Sequence, residues 1–267
     1  RTAADFADAL ARRCGLADEA RAYTSACVAA STAVADVAAM LALGHAQRVV
    51  VAGGYLVEAD QFAVFDAGRA MARDGRVRPF SAGRGGLLLG DGVAAMVLET
   101  PAAAARRGAP VLGHVTGWGR AGDAYHVCQP RPDGAGLARA IGAALARAGV
   151  GADAVGYVDA HGAGTAAGGD AKAAALAAAL GDRAATVPVS STKSLHGQAL
   201  EASGLVELIV TILALRAGAL PVNSGYLGPD PQCPLTVVTE PAGTDATHAL
   251  SLNSAFGGAN TALLVSV

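Results

Sequence analysis

Four short stretches, far apart in the chain, carry the residues whose chemistry is most suggestive. The first is Tyr23-Thr24-Ser25-Ala26-Cys27, followed by a helix-compatible run from Val28 to Leu43 and by Gly44 where a C-terminal cap belongs. The pattern predicts a strand ending and a helix beginning at the cysteine. A thiol there faces unsatisfied backbone N–H groups and the positive end of the helix dipole, both of which favour thiolate, the nucleophilic form. A cysteine on its own is more often simply a small buried hydrophobe, and only the further motifs tip the balance.

The second stretch, Asp159-Ala160-His161-Gly162-Ala163-Gly164-Thr165, sets a histidine directly after an expected strand, in a small-residue loop that a thioester could approach closely. The third runs from Ser190-Ser191-Thr192-Lys193-Ser194-Leu195-His196-Gly197-Gln198 into Ala199-Leu200-Glu201-Ala202-Ser203-Gly204, a polar turn leading into an apolar helix. The fourth is Asn253-Ser254-Ala255-Phe256-Gly257-Gly258-Ala259-Asn260.

The elements that must hold these stretches alternate between α and β. Strands are expected at residues 49–54, 94–99, 111–116, 155–160, 187–190, 249–252 and 262–265, and helices at 28–43, 137–148, 171–180 and 199–217. Residues 122–136, rich in Pro, Gly and Asp, read as irregular. The segment 205–215 is apolar on nearly every face, which suits a helix sandwiched between two sheets. A boundary near residues 100–108 divides the chain into residues 1–104 and 105–267.

Taken in order, these motifs resemble the β-ketoacyl-acyl carrier protein synthases, condensing enzymes of the thiolase superfamily. The resemblance runs from about Leu16 to Val267 and rests on Ser25-Ala26-Cys27 before a helix, Val49-Val50-Val51-Ala52-Gly53-Gly54, Arg78-Pro79-Phe80 followed by Leu87-Leu88-Leu89-Gly90-Asp91-Gly92, and the three later stretches. It implies an α/β thiolase-like fold, two similar halves stacked as five layers, αβαβα. It also implies Cys27 as the residue that takes an acyl chain from a carrier protein, His161 as the first histidine of the decarboxylating pair, and Lys193 as the lysine of the supporting network. Thr165, His196, Ser254, Phe256 and Gly257 become candidate substrate contacts. No metal and no cofactor is expected beyond the phosphopantetheine carried by the acyl carrier protein.

The chain departs from that pattern at several positions. Gln198 stands where the family has its second histidine; its amide can donate to an enolate oxygen but cannot act as acid or base. His196 offers an alternative donor two residues earlier. Gly169 and Lys172 occupy positions where the family usually has aspartate and glutamate, which places Lys172 as a like charge near Lys193. Ser254-Ala255 replace a phenylalanine gate in a loop one residue shorter.

Three functions fit these residues: a ketosynthase-like enzyme joining an acyl group on Cys27 to a malonyl-type extender in a polyketide or fatty-acid-like pathway, a non-catalytic chain-length-factor-like subunit partnering an active ketosynthase, or an acyltransferase that omits decarboxylation. Composition narrows the setting. Of 267 residues, 52% are hydrophobic and 16% charged, so the chain can bury a core. Twenty Lys+Arg against 22 Asp+Glu exclude a basic nucleic-acid footprint. The longest apolar stretch is too short to span a bilayer and contains Glu207, so a cytoplasmic protein is expected. Cys14, Cys27, Cys128 and Cys233 lack CxxC spacing and should be free thiols. Only 26 residues precede Cys27, too few for the first strands of the N-terminal half. A complementary N-terminal or second ketosynthase-like chain, in a dimer or hetero-oligomer, is therefore expected beside the acyl carrier protein, burying more than roughly 2,000 Å² if it replaces part of a domain core.

Overall fold

A computed structural model describes residues 2–16 and 20–267. In chain order the elements are α1 (Ala3–Arg13), a 3₁₀ turn at Ala26–Val28, α2 (Ala29–Ala42), β1 (Arg48–Tyr55), α3 (Ala59–Ala67), β2 (Gly92–Glu99), α4 (Pro101–Arg106), β3 (His114–Gly122), α5 (Ala135–Ala148), β4 (Tyr157–Asp159), α6 (Ala166–Leu180), β5 (Pro188–Ser190), α7 (Lys193–His196), α8 (Ser203–Ala217), β6 (Ala219–Leu220), β7 (Thr236–Val237), β8 (Ala242–Gly243), β9 (His248–Ser254) and β10 (Ala259–Ser266).

Six strands form one mixed sheet in the order β3-β10-β9-β4-β5-β7. Strands β9, β4, β5 and β7 run parallel, while β10 is antiparallel to both β9 and β3. Helices α5 and α6 cover one face, where Ile141, Leu145, Leu176 and Leu180 meet Val158, Val189, Leu250 and Leu264. Helices α2 and α8 cover the other, where Val34, Val37, Leu205, Leu208 and Leu215 bury against Ala249, Leu263 and Val265. Beyond them lies the antiparallel pair β1–β2, whose inward residues Val51, Met96 and Leu98 close the same core. Helix α8 is thus packed between two sheets, and its all-round apolar composition follows from that position. The described residues build an α-β-α-β stack, and the outward face of β1–β2 is exposed at Val50 (37%), Val93 (77%) and Val97 (50%).

Local chemistry explains the element ends. Helix α2 stops as expected: Gly44 takes φ +75°, and the Gly44 and His45 amides donate to the Leu41 and Met40 carbonyls. The abundance of small residues lets α5 lie close on β3, since a Cβ at Gly119 would collide with the Ala140 carbonyl and one at Gly117 with that of Ala144.

Some expectations are corrected. No strand precedes Cys27 in residues 20–25, which are irregular. Residues 101–106 form a short helix nucleated by the Thr100 cap and Pro101 at its first turn. Strand β3 begins at His114 rather than at residue 111, and the helix expected over 199–217 opens with a 3₁₀ turn, Leu200–Ala202, before α8 proper. Helix α1, capped by a Thr2–Asp5 capping box, and helix α3 were not expected from the sequence.

Candidate active site

The suggestive stretches converge at the C-terminal ends of β4 and β5, the edge where open parallel sheets hold ligands. His161 follows β4, Lys193 opens α7 after β5, Gln198 lies in the bend between α7 and α8, and Cys27 sits in the 3₁₀ turn before α2. The motifs interlock. The Ser191 hydroxyl bonds both the amide (3.2 Å) and the carbonyl (3.1 Å) of Gly162, fixing the histidine loop. The Gln198 backbone is clamped by Leu88 and Gly90, its amide donating to the Leu88 carbonyl at 2.7 Å and its carbonyl accepting from Gly90 at 3.0 Å. Only glycine fits at position 90, because a Cβ would strike the His196 carbonyl.

Cys27 is buried beside Tyr55, Ala199, Leu200 and Ala202. The residue before it, Ala26, holds φ +50°, a left-handed strain that a non-glycine residue adopts only where its surroundings impose it. Burial raises the thiol above its usual range, opposed by a hydrogen bond from Gln198 and the charge of Lys193. The thiolate preference expected from the helix start is therefore outweighed by desolvation. Gln198 is well placed to oppose it: its Oε1 accepts from Ser203 Oγ at 3.0 Å, leaving the NH₂ group for the sulfur.

His161 is buried, and burial, then Lys193, then Lys172 depress it well below the ordinary histidine range, so the ring is neutral. Asn253 Nδ2 lies 3.4 Å from its Nδ1 and 2.6 Å from Glu207 Oε2. With that amide donating to Nδ1, the ring proton sits on Nε2, the nitrogen left to donate elsewhere. Lys193 pairs directly with Glu207, both side chains at most 1% exposed. Thr211 joins the network from α8, donating to Glu207 O (2.8 Å) and Asp159 Oδ2 (3.3 Å). Burial first and Glu207 second push Asp159 well above the usual carboxylate range.

Lys172 is buried in the first turns of α6 and donates to the Gly168 carbonyl at 3.3 Å. Gly169, beside it, lies against Arg84 and Cys233; Arg84 pairs with Asp170 at 2.6 Å and with Asp230.

The candidate substrate contacts separate into two groups. Thr165 is half-buried at the start of α6 with no capping hydrogen bond, and Ser254 ends β9. Phe256 is half exposed and stacks on Phe65 with ring centroids 6.0 Å apart, while Phe65 and Ala255 pack against the Cys27 cluster. The Gly257 amide bonds the Val127 carbonyl at 2.7 Å. His196 belongs elsewhere. Its Nε2 bonds Thr192 Oγ1 at 3.0 Å, and it lines a cavity of about 450 Å³ with Arg76, Lys193, Ser194 and Ser224, a lining that does not include Cys27.

Glu207, Asn253 and Phe65 were not singled out as site residues in the sequence. Glu207 carried a usable signal: a lone acid in an otherwise apolar helix must find a buried cation or hydrogen-bond donors.

No helix among the described residues is long and apolar enough to cross a membrane, and all four cysteines are free.

Fold and site together define a thiolase-like α/β protein with a cysteine and a histidine facing a shared polar network. Family models agree: residues 3–104 match the β-ketoacyl synthase N-terminal domain and residues 112–226 the β-ketoacyl synthase C-terminal domain. The chain belongs to the β-ketoacyl synthase family. It is 38% identical over 242 residues to nodulation protein E of Rhizobium leguminosarum bv. trifolii, covering 90% of this chain and 59% of that protein. With 3-oxoacyl-[acyl-carrier-protein] synthase 2 of Staphylococcus aureus it shares 33% identity over 250 residues, 91% of this chain and 62% of the relative. The solved ishigamide ketosynthase/chain length factor superposes with a TM-score of 0.94 at 32% identity, over 100% of this chain and 65% of that one. The chain therefore spans about 60% of the length of these curated relatives.

Proposed function

We propose that the protein works as a ketosynthase that takes an acyl group from an acyl carrier protein onto Cys27 and joins it to a malonyl-type extender. The observation that carries this reading is the pairing of a buried Cys27 thiol with the Gln198 amide at the start of α2. Attack by the Cys27 sulfur on the acyl thioester forms a new C–S bond and expels the carrier thiol, which leaves with the proton from Cys27. Loss of CO₂ from the extender then leaves an electron pair on an enolate. Its oxygen requires donors, and the Nε2–H of neutral His161 and the Gln198 NH₂ are the two groups suited to that task. The enolate carbon attacks the acyl-cysteine carbonyl, forming the new C–C bond and breaking the C–S bond, and the Cys27 thiolate so released takes a proton from water to regenerate the thiol.

The exposed outer face of β1–β2 is suited to being covered by further polypeptide, either a complementary N-terminal segment or a second ketosynthase-like chain in a dimer or hetero-oligomer. A soluble, cytoplasmic setting fits this role.

Mixing the assembled protein with an acyl-carrier thioester should add the acyl mass to the Cys27 peptide, and Cys27→Ala should abolish the adduct. No adduct on wild-type Cys27 would refute the reading.

Gln198 also favours a second one, since it lacks the acid–base capacity of a histidine. In that case the chain either shapes the tunnel of an active partner or moves its acyl group to an alcohol or amine without decarboxylation. Unchanged product formation by Cys27→Ala would select the first of these. Release of labelled CO₂ from malonyl-carrier protein, lost in His161→Ala, would exclude both.

A further inference from the structure

Two of the tyrosines, Tyr55 and Tyr157, are buried, and their phenols are in different circumstances. Tyr157 Oη shares a hydrogen bond of 2.7 Å with Ser190 Oγ. Tyr55 Oη, on a side chain 6% exposed, is closed off from solvent and has no hydrogen-bond partner among the described residues. A buried hydroxyl left unsatisfied weakens a fold, and phenylalanine would fill the same space without that cost. The strand register shows where this side chain points. Tyr55 ends β1 and stands opposite Gly92 of β2, where a Cβ would fall 2.7 Å from Ala199 Cβ. Gly53, two residues earlier and on the same face, would place a Cβ 3.4 Å from Ala202 Cα and 3.6 Å from Ala30 Cβ. Tyr55 therefore turns inward, onto the Leu200–Ala202 turn and the start of α2, and shares one buried cluster with Cys27. Of the apolar side chains that surround the thiol in that cluster, only that of Tyr55 carries a hydrogen-bonding group.

We propose that the Tyr55 hydroxyl is a substrate contact that donates to an oxygen on the acyl chain carried by Cys27, so that the protein selects chains bearing a keto or hydroxyl oxygen over plain alkyl chains. The inference rests on Cys27 being the acyl-carrying thiol of the proposed function, and it names the class of acyl group that the thiol takes. A chain on the sulfur extends among the walls of this cluster, Leu200, Ala202 and Phe65 with Tyr55. An alkyl chain laid against Tyr55 leaves the phenol as unsatisfied as before, whereas an oxygenated chain supplies the missing acceptor, and a site that hydrogen-bonds its substrate rejects an analogue lacking the partner. The phenol is in the right form for this. Burial first, then the carboxylates of Glu201, Asp91, Asp60 and Glu58, raise it above its usual range, so it keeps its proton and acts as a donor. None of those four carboxylates accepts its hydrogen bond.

The test is the rate at which pantetheine thioesters acylate Cys27 in the full-length protein with its co-purifying partners, read by mass spectrometry of the Cys27 peptide. The probes are octanoyl pantetheine and its analogues with a single keto group at the third, fifth or seventh carbon. In wild type the best keto analogue should acylate Cys27 roughly tenfold faster than octanoyl, the worth of one good hydrogen bond. In Tyr55→Phe, which keeps the ring and removes only the hydroxyl, keto and alkyl rates should fall within about twofold of each other. Thermal unfolding separates this from a structural role: Tyr55→Phe should melt no lower than wild type, because the hydroxyl it removes has no partner in the folded protein. Equal keto and alkyl rates in wild type, a keto preference that survives in Tyr55→Phe, or a lower melting temperature for Tyr55→Phe would overturn the proposal while leaving the proposed function standing. No acylation of Cys27 by any of the four thioesters would overturn both.

Discussion

At the scale of single residues, the site depends on compensation among buried polar groups. Glu207 is the hinge of that arrangement: it neutralises Lys193, accepts from Asn253, and through Asn253 holds His161. Replacing it by Ala leaves Lys193, 1% exposed, without its ion-pair partner. Breaking a buried pair by removing one partner costs about 3–5 kcal/mol. Glu207→Ala should therefore lower the midpoint of denaturant unfolding by that equivalent, measured by circular dichroism in urea, whereas the paired change Lys193→Met with Glu207→Leu should recover much of the loss. Equal stability of Glu207→Ala and wild type would mean that the pair is not buried as described. The other residue of consequence, Gln198, was recognised as a departure from the family pattern. Its orientation follows from Ser203, whose hydroxyl occupies Oε1 and turns the NH₂ group toward the sulfur.

At the scale of elements, the helices lie unusually near the sheets because glycine and alanine line the contacts. Strand β3 shows this most plainly, with Gly117 and Gly119 facing the carbonyls of Ala144 and Ala140 on α5. A methyl group at either position would push the helix off the strand, since the atoms it meets are backbone and cannot rotate away. Gly119→Ala should destabilise the protein by about 1–3 kcal/mol, the usual cost of overpacking, with the loss read from thermal unfolding. Gly142→Ala, on the open side of α5 where no atom lies within 4 Å, is the control and should be neutral or slightly stabilising. Between the two helical layers, a buried hydrogen bond of 2.7 Å between the hydroxyls of Ser31 on α2 and Thr261 on β10 pins the turn that presents Cys27. Gly204 lets α8 approach that same point, because a Cβ there would come within 2.9 Å of the Ser31 amide nitrogen.

At the scale of the whole molecule, the two faces of β1–β2 differ sharply. The inner face is closed by α2 and α8, while the outer face presents Val50, Ala52, Val93, Ala95 and Val97. Leu43, Leu56, Phe62 and Val64 add further exposed apolar area in the same half of the chain. Monomeric proteins rarely leave contiguous apolar patches larger than a few hundred Å² uncovered. Produced as these 267 residues alone, the chain should bind a hydrophobic dye and self-associate in size-exclusion chromatography. Val93→Lys with Val97→Lys should reduce both. A monodisperse monomer with no dye fluorescence would show that the face is tolerated in water.

Much of the architecture was legible locally. The β-branched run before Gly53 and Gly54, the alanine-rich helix stopped by Gly44, and the apolar 205–215 segment each report their own burial, because hydrophobic periodicity and capping act over a few residues. The motifs around Cys27, His161 and Gln198 were equally legible as types and spacings. Tertiary structure decided what those residues experience. A helix start that by local chemistry favours thiolate became a desolvated site in which the thiol is raised, since burial depends on Leu200 and Ala202, residues more than 170 positions away. Likewise, Lys193 has Glu207 rather than any residue of α6 as its partner, and Lys172 has no carboxylate partner among the described residues, because helix α8 brings its one buried acid to Lys193 and not to Lys172. Side-chain identity determined which chemistry was available; the packing of elements remote in sequence determined which charges meet.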